Sequence, residues 1–206
     1  MLERQLVARG IRDRRVLDAM ATVPRERFVP ENSRADAYAD CPVAIGRGQT
    51  ISQPYMVGRM LEVLDCRSDH VALEVGAGSG YQAALLGELS AEVWAVEIVE
   101  VLAERARRVL GELGYDSVHV VVGDGTEGLP EHGPYDRIIV AAGAPSVPEP
   151  LVEQLADGGR LVMPVGSRMA QRLVTVDRDG DEFRRTEGMS CVFVPLLGRH
   201  GWRPDG

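Results

Sequence analysis

The chain contains no lysine; all 23 of its basic residues are arginine. Any mechanism that needs a lysine base or a Schiff base is therefore closed to it. Asparagine is almost as rare, with Asn32 alone, and biased genome composition explains both absences more simply than function does. Cysteine is scarce. Cys41, Cys66 and Cys191 form no CxxC and no metal-ligand pattern, which points to a reducing, cytoplasmic setting. His70, His119, His132 and His200 show no ligand spacing, so no metal is expected. No run of 18 apolar residues occurs, so no transmembrane helix is expected, and the first residues lack the apolar stretch of a signal peptide. Positive charge is in deficit. A net charge of −8 argues against a chain whose main task is to grip nucleic-acid phosphates.

What remains is the composition of an ordinary globular protein: 206 residues, 45% hydrophobic and 26% charged. The periodicity divides the chain into three stretches, read as parts of one domain. Residues 1–70 form a helical extension. Within it, Asp13 is placed to cap a segment carrying Val16, Leu17 and Met20, Arg27-Phe28-Val29-Pro30 reads as extended, and a helix is expected from Gln53 to Leu64. Residues 71–166 alternate apolar strands with helices. Strands are expected at 71–75, 93–97, 118–122, 137–142 and 159–165, with helices at 81–89, 99–113 and 148–155. Residues 167–206 hold three further strand signals, at 172–177, 182–186 and 191–196, with no helices between them. The fold class expected is α/β: a doubly wound, mostly parallel sheet with antiparallel strands at its C-terminal edge.

In such sheets ligands bind outside the carboxyl ends of the parallel strands. There the sequence places Gly76-Ala77-Gly78-Ser79-Gly80 after the first strand, Glu97 at the end of the second, and Gly123-Asp124-Gly125 after the third. The glycines spell GxGxG. The dinucleotide fingerprint wants another glycine at 81, where this chain has Tyr81, and no GK[ST] phosphate cradle is present. Glycines after a strand also serve as plain turn residues. Two acidic residues at the next strand ends tip the reading towards a cofactor without a pyrophosphate. S-adenosylmethionine suits the set, with its methionine end at the glycines, its ribose on Glu97 and its adenine near Asp124.

Several stretches carry a more specific resemblance. Ala44 to Met56 (AIGRGQTISQPYM), Leu73 to Tyr81 (LEVGAGSGY), Gly123-Asp124-Gly125, Ala142-Gly143-Ala144-Pro145 and Phe193-Val194-Pro195-Leu196 resemble the protein-L-isoaspartate (D-aspartate) O-methyltransferases, within the class I S-adenosylmethionine-dependent methyltransferases. The similarity runs from Arg27 to Trp202. It implies methylation of the free α-carboxylate of L-isoaspartyl residues in damaged proteins and peptides, with S-adenosyl-L-homocysteine as product. It also implies Ser52 as the active-site residue, with Thr50, Ile51 and Gln53 lining the same substrate corner. A monomer is expected, with no nucleic-acid or membrane partner. Local sequence alone leaves Ser52 open to another reading, because it precedes Gln53-Pro54 at a helix start and suits an N-cap. Two rival functions also stay open at this point: a methyltransferase for a small-molecule carboxylate or hydroxyl, and a non-catalytic cofactor-binding module. Arg47, between two glycines, is either an attractor for a substrate carboxylate or a solvated surface residue.

Overall fold

The computed structural model describes residues 1–203. The N-terminal stretch is less regular than its apolar period suggests. Leu2–Leu6 forms a wide π-helical turn, Val7–Arg9 a 3-10 turn, and only Arg14–Thr22 is α-helix (α1). Asp13 caps α1 as expected, its carboxylate accepting from the Arg15 amide. Arg25–Phe28 is a 3-10 turn rather than the start of an extended stretch, which begins only at Val29. Turning there carries Phe28 into the core, edge-on to Tyr81 with ring centroids 5.6 Å apart. Two short antiparallel strands follow, β1 (Val43–Gly46) and β2 (Gln49–Ile51). Arg47, in the turn joining them, is exposed and has positive φ. Helix α2 (Pro54–Leu64) then packs Val57, Met60, Leu61 and Leu64 inward.

The α/β alternation starts at β3 (Val71–Val75) and α3 (Tyr81–Leu89). It continues through β4 (Glu92–Glu97), α4 (Glu100–Glu112), β5 (Val118–Val122) and β6 (Tyr135–Val140). It ends with a five-residue helix α5 (Glu149–Glu153) and the long strand β7 (Leu155–Gly166). The hairpin strands β8 (Gln171–Asp179) and β9 (Glu182–Cys191) complete the sheet. Its seven strands run in the order β5-β4-β3-β6-β7-β8-β9, parallel from β5 to β7 and antiparallel beyond. The third C-terminal strand read from the sequence does not form. Residues 192–196 leave the sheet and cross to the Gly143 loop, where the Gly143 amide donates to Val194 O and the Leu196 amide donates to Gly143 O.

Strand side chains alternate between the two faces of the sheet. Ala72, Val93, Ala95, Val118 and Val120 belong to the cluster formed with α1 to α4, whereas Leu73, Val75, Val96, Ile138 and Val140 belong to the cluster beneath α5 and the loops around it. Strand β3 pairs with β4 on one side and β6 on the other. The chain order therefore reverses at β3, and its carboxyl end is the topological switch point where such sheets open a crevice.

Candidate functional site

The loop after β3 occupies that crevice. Gly76, Gly78 and Gly80 all have positive φ, a backbone region L side chains rarely adopt, so this tight loop needs glycine at alternate positions. The amides of Gly76 and Ala77 both donate to Val96 O, which ties the loop to β4. At Gly80 an added Cβ would sit 3.0 Å from Ala106 Cβ, so the loop's close approach to α4 also depends on glycine. Ser79 is buried, and its hydroxyl accepts from the Tyr81 amide at the start of α3.

Glu97 ends β4 almost fully buried. Its Oε2 accepts from the Gly78 amide at 2.7 Å and its Oε1 from the Val99 amide at 2.8 Å. It therefore faces the cavity and also clamps the glycine loop. Each carboxylate oxygen retains a free lone pair for a ligand hydroxyl.

The cavity above this loop is lined by Gly76, Ala77, Gly78, Ser79, Glu97 and Gly125 from the cofactor set, and by Thr50, Ile51 and Ser52 from the N-terminal segment. Two elements far apart in the chain thus meet at one cavity. Gly80 sits behind the loop against α4. Gln53 faces an adjoining apolar cleft, which shares Thr50, Ser52 and Val194 with the cavity, and its side chain donates to Asp40 O. At Gly125 a Cβ would lie 2.5 Å from Val75 Cγ1, so the wall there admits no side chain.

Asp124 is placed differently from the rest. Its Oδ1 accepts from both the amide and the hydroxyl of Thr126, and its Oδ2 accepts from the Arg199 amide. Burial raises its carboxyl, but these hydrogen bonds outweigh burial and hold it below the ordinary value. It lines the outer cleft containing Glu127 and His200 rather than the cavity itself, so its neighbour Gly125 is what reaches the cavity wall.

The structure also decides the local ambiguity at Ser52. The N-cap of α2 is Gln53, and no side-chain hydrogen bond caps the helix. Ser52 lines the cavity, and its carbonyl oxygen is held by Arg25 Nη2 at 2.7 Å.

Sequence reasoning passed over three features. Glu74, the one charged residue inside the apolar strand β3, is fully buried and lines the cavity with neither carboxylate oxygen hydrogen-bonded. Burial pushes its carboxyl well above the usual value, and Glu97 pushes the same way. The Gln82 amide opposes the rise, yet its Nε2 completes no hydrogen bond. A lone acid two residues before a glycine loop was the available signal. Arg25, also fully buried, left no such signal, because its partners are carbonyl groups remote in sequence. The third feature is the segment Val194 to Leu197, which roofs the cavity from the C-terminal side.

Residues 1–201 match the family model for protein-L-isoaspartate(D-aspartate) O-methyltransferase. A protein-L-isoaspartate O-methyltransferase from Roseiflexus sp. (strain RS-1) is 56% identical over 200 residues, covering 97% of this chain and 92% of the relative. One from Methanoregula boonei is 53% identical over 203 residues, covering 98% of this chain and 93% of the relative. Among solved structures, a protein-L-isoaspartate O-methyltransferase superposes with a TM-score of 0.88 at 28% identity, over 98% of this chain and 67% of that one. A Plasmodium falciparum structure, described as a protein of the same kind in complex with S-adenosyl-L-homocysteine, superposes with a TM-score of 0.83 at 27% identity, over 95% of this chain and 96% of that one.

Proposed function

Because the chain belongs to the protein-L-isoaspartate(D-aspartate) O-methyltransferase family, we propose that it transfers a methyl group from S-adenosylmethionine to the free α-carboxylate of L-isoaspartyl residues in damaged proteins and peptides. The observation that carries this reading is the composition of one cavity. A floor of glycine backbone and two buried acids stand on one side, and the neutral hydroxyls of Thr50 and Ser52 stand on the other.

The residues present fit the cofactor. Its ammonium and sulfonium groups are cationic, and Glu74 is an orphaned buried carboxyl in the cavity wall with no protein partner. Glu97 offers two acceptor oxygens at the strand end where ribose hydroxyls would be held. Gly76, Gly78 and Gly125 present bare backbone to the cavity, which lets a ligand approach closely. When bound, S-adenosylmethionine supplies a methyl group already activated for transfer.

The protein's share is placement. An α-carboxylate is ionised at neutral pH, so no general base is needed to make the nucleophile. Thr50 and Ser52 can orient it by hydrogen bonds without neutralising it, as a tight arginine pair would. The roof at Val194 to Leu197 and the buried wall at Ile51 limit water around the acceptor, which strengthens each polar contact there. The adjoining apolar cleft shares Thr50 and Ser52 with this corner and gives a peptide chain a route to it. A backbone amide nitrogen then displaces methanol from the ester to close a succinimide without the enzyme, and water reopens that ring in part to normal aspartate. Unpaired Cys41, Cys66 and Cys191 support a cytoplasmic setting for this work.

The test is methyl transfer from tritiated S-adenosylmethionine to paired peptides that contain isoaspartate or normal aspartate. Base-labile label in the isoaspartyl peptide alone is the expected result. Equal labelling of both peptides, or of neither, overturns the proposal.

A further inference from the structure

The acceptor corner rests on a cation that no acidic side chain accompanies among the described residues. Arg25 is fully buried in the 3-10 turn after α1. Its Nε donates to Ala37 O at 2.6 Å and its Nη2 to Ser52 O at 2.7 Å. Its guanidinium carbon lies 4.8 Å from the centre of the Tyr81 ring. Tyr81 is the first residue of α3, directly after the glycine loop, and it lines the cavity. One side chain thereby joins the segment bearing Ser52 to the element that carries the cofactor loop. No ion pair to Arg25 is found among the described residues, and both Arg25 Nη1 and Tyr81 Oη are buried without a hydrogen-bond partner.

A buried charge without a counter-ion is costly, and backbone carbonyls and a ring face offset only part of that cost. Aliphatic packing would stabilise the same junction more cheaply, so the charge itself asks for an explanation. The cavity supplies one. The Glu97 carboxylate lies on the glycine-loop side, where it would repel an anionic acceptor. A fixed cation behind Ser52 offsets that repulsion from the acceptor side. Because it is bound to carbonyl groups and covered by Tyr81, it does so without forming the tight ion pair that would blunt the nucleophile.

We infer that Arg25 is a positioning residue for methyl transfer: it holds Ser52 at a fixed distance from the glycine loop and makes the acceptor corner select a carboxylate over its neutral amide. This inference rests on the proposed reading of the Thr50–Ser52 segment as the acceptor side.

The test compares wild type, Arg25→Lys and Arg25→Met in three measurements. These are kcat and KM for an isoaspartyl peptide, S-adenosyl-L-homocysteine affinity by calorimetry, and peptide affinity in the presence of S-adenosyl-L-homocysteine. The last is measured for the isoaspartyl peptide and for the same peptide with an α-amide. Wild type is expected to prefer the carboxylate peptide. Arg25→Met should lose at least fivefold of that preference and at least tenfold in kcat/KM, with S-adenosyl-L-homocysteine affinity kept within about twofold. Arg25→Lys should keep the preference, because the charge remains, while kcat falls, because an ammonium cannot span the Ala37 and Ser52 carbonyls and the ring together. A parallel fall in S-adenosyl-L-homocysteine and peptide affinity in both variants would reduce Arg25 to a structural strut and overturn the inference. A wild type that binds the two peptides equally overturns it without any variant, which covers the case in which Arg25→Met does not fold. Wild type that methylates the isoaspartyl peptide while Arg25→Met matches it rejects the role of Arg25 alone. Wild type that fails to methylate the peptide rejects the function and this inference together.

Discussion

Glu74 and Glu97 stand on adjacent parallel strands, point to the same face of the sheet and line one cavity, yet their carboxylates are held in opposite ways. Glu97 accepts a backbone amide on each oxygen, and Glu74 accepts none.

The free protein should record that difference in its pH dependence. The Glu74 carboxyl in the folded state titrates well above its ordinary value of 4.5. Its contribution to stability is then fully present below the unfolded value and is lost as pH rises through the folded one. Each unit of that gap is worth about 1.4 kcal/mol. Thermal unfolding of ligand-free wild type and Glu74→Gln should therefore diverge as pH increases from 4.5, with wild type losing Tm relative to the variant. Parallel Tm curves between pH 4.5 and 8 would show that Glu74 ionises at no cost.

Glu97 should be the sharpest determinant of cofactor affinity. Charged hydrogen bonds contribute about 1.5–3 kcal/mol each, so Glu97→Gln should weaken S-adenosyl-L-homocysteine binding at least tenfold. Glu97→Ala should do more than remove a ligand contact, because the amides of Gly78 and Val99 lose their acceptors. That variant should lose stability as well, by about 1–3 kcal/mol. Calorimetric titration read alongside denaturant unfolding checks both effects. Wild-type affinity in a folded variant rules out Glu97 as a cofactor ligand.

Ser52 should affect turnover and leave stability nearly unchanged. It caps no helix, so Ser52→Ala should stay within about 0.5 kcal/mol of wild type. Its kcat/KM for an isoaspartyl peptide should fall while cofactor affinity is kept. Ser52→Asp should be worse, because a second anion repels the acceptor carboxylate and competes for the cationic cofactor. Steady-state kinetics on the three proteins decides the matter. An Asp variant as active as wild type would remove Ser52 from the active site.

Asp124 should behave chiefly as a clasp. Its carboxylate binds the Thr126 amide and hydroxyl and the Arg199 amide, while the His200 amide donates to Thr126 Oγ1. Asp124→Ala should destabilise the protein by about 1–3 kcal/mol and speed hydrogen exchange at the Arg199 and His200 amides. Asp124→Asn, which retains one acceptor oxygen, should fall between the two. Unchanged exchange at both amides in the Ala variant would show that the C-terminal segment is held by other contacts.

The sequence by itself determined the strand–helix alternation from Val71 to Val165, because apolar runs of strand length separated by amphipathic helices have few ways to bury their surfaces. It also determined the glycine loop and the acid at the next strand end, since tight backbone turns and strand-end carboxylates are local features. Other choices were made only in three dimensions. Whether Ser52 caps α2 or lines the cavity depended on where the Gln53-Pro54 turn starts the helix, and Arg25, 27 residues earlier, fixes its carbonyl. Residues 192–196 have the composition of a strand, yet their hydrogen bonds go to the Gly143 loop and turn them into a roof. Asp124 sits at the strand end expected of a ligand residue, but amides from Thr126 and from residue 199, 75 positions on, reach it first. In each case a hydrogen bond between a backbone group and a partner remote in sequence takes part in the decision. Backbone amides and carbonyls are the same at nearly every residue, so no local pattern of side chains announces which of them will arrive.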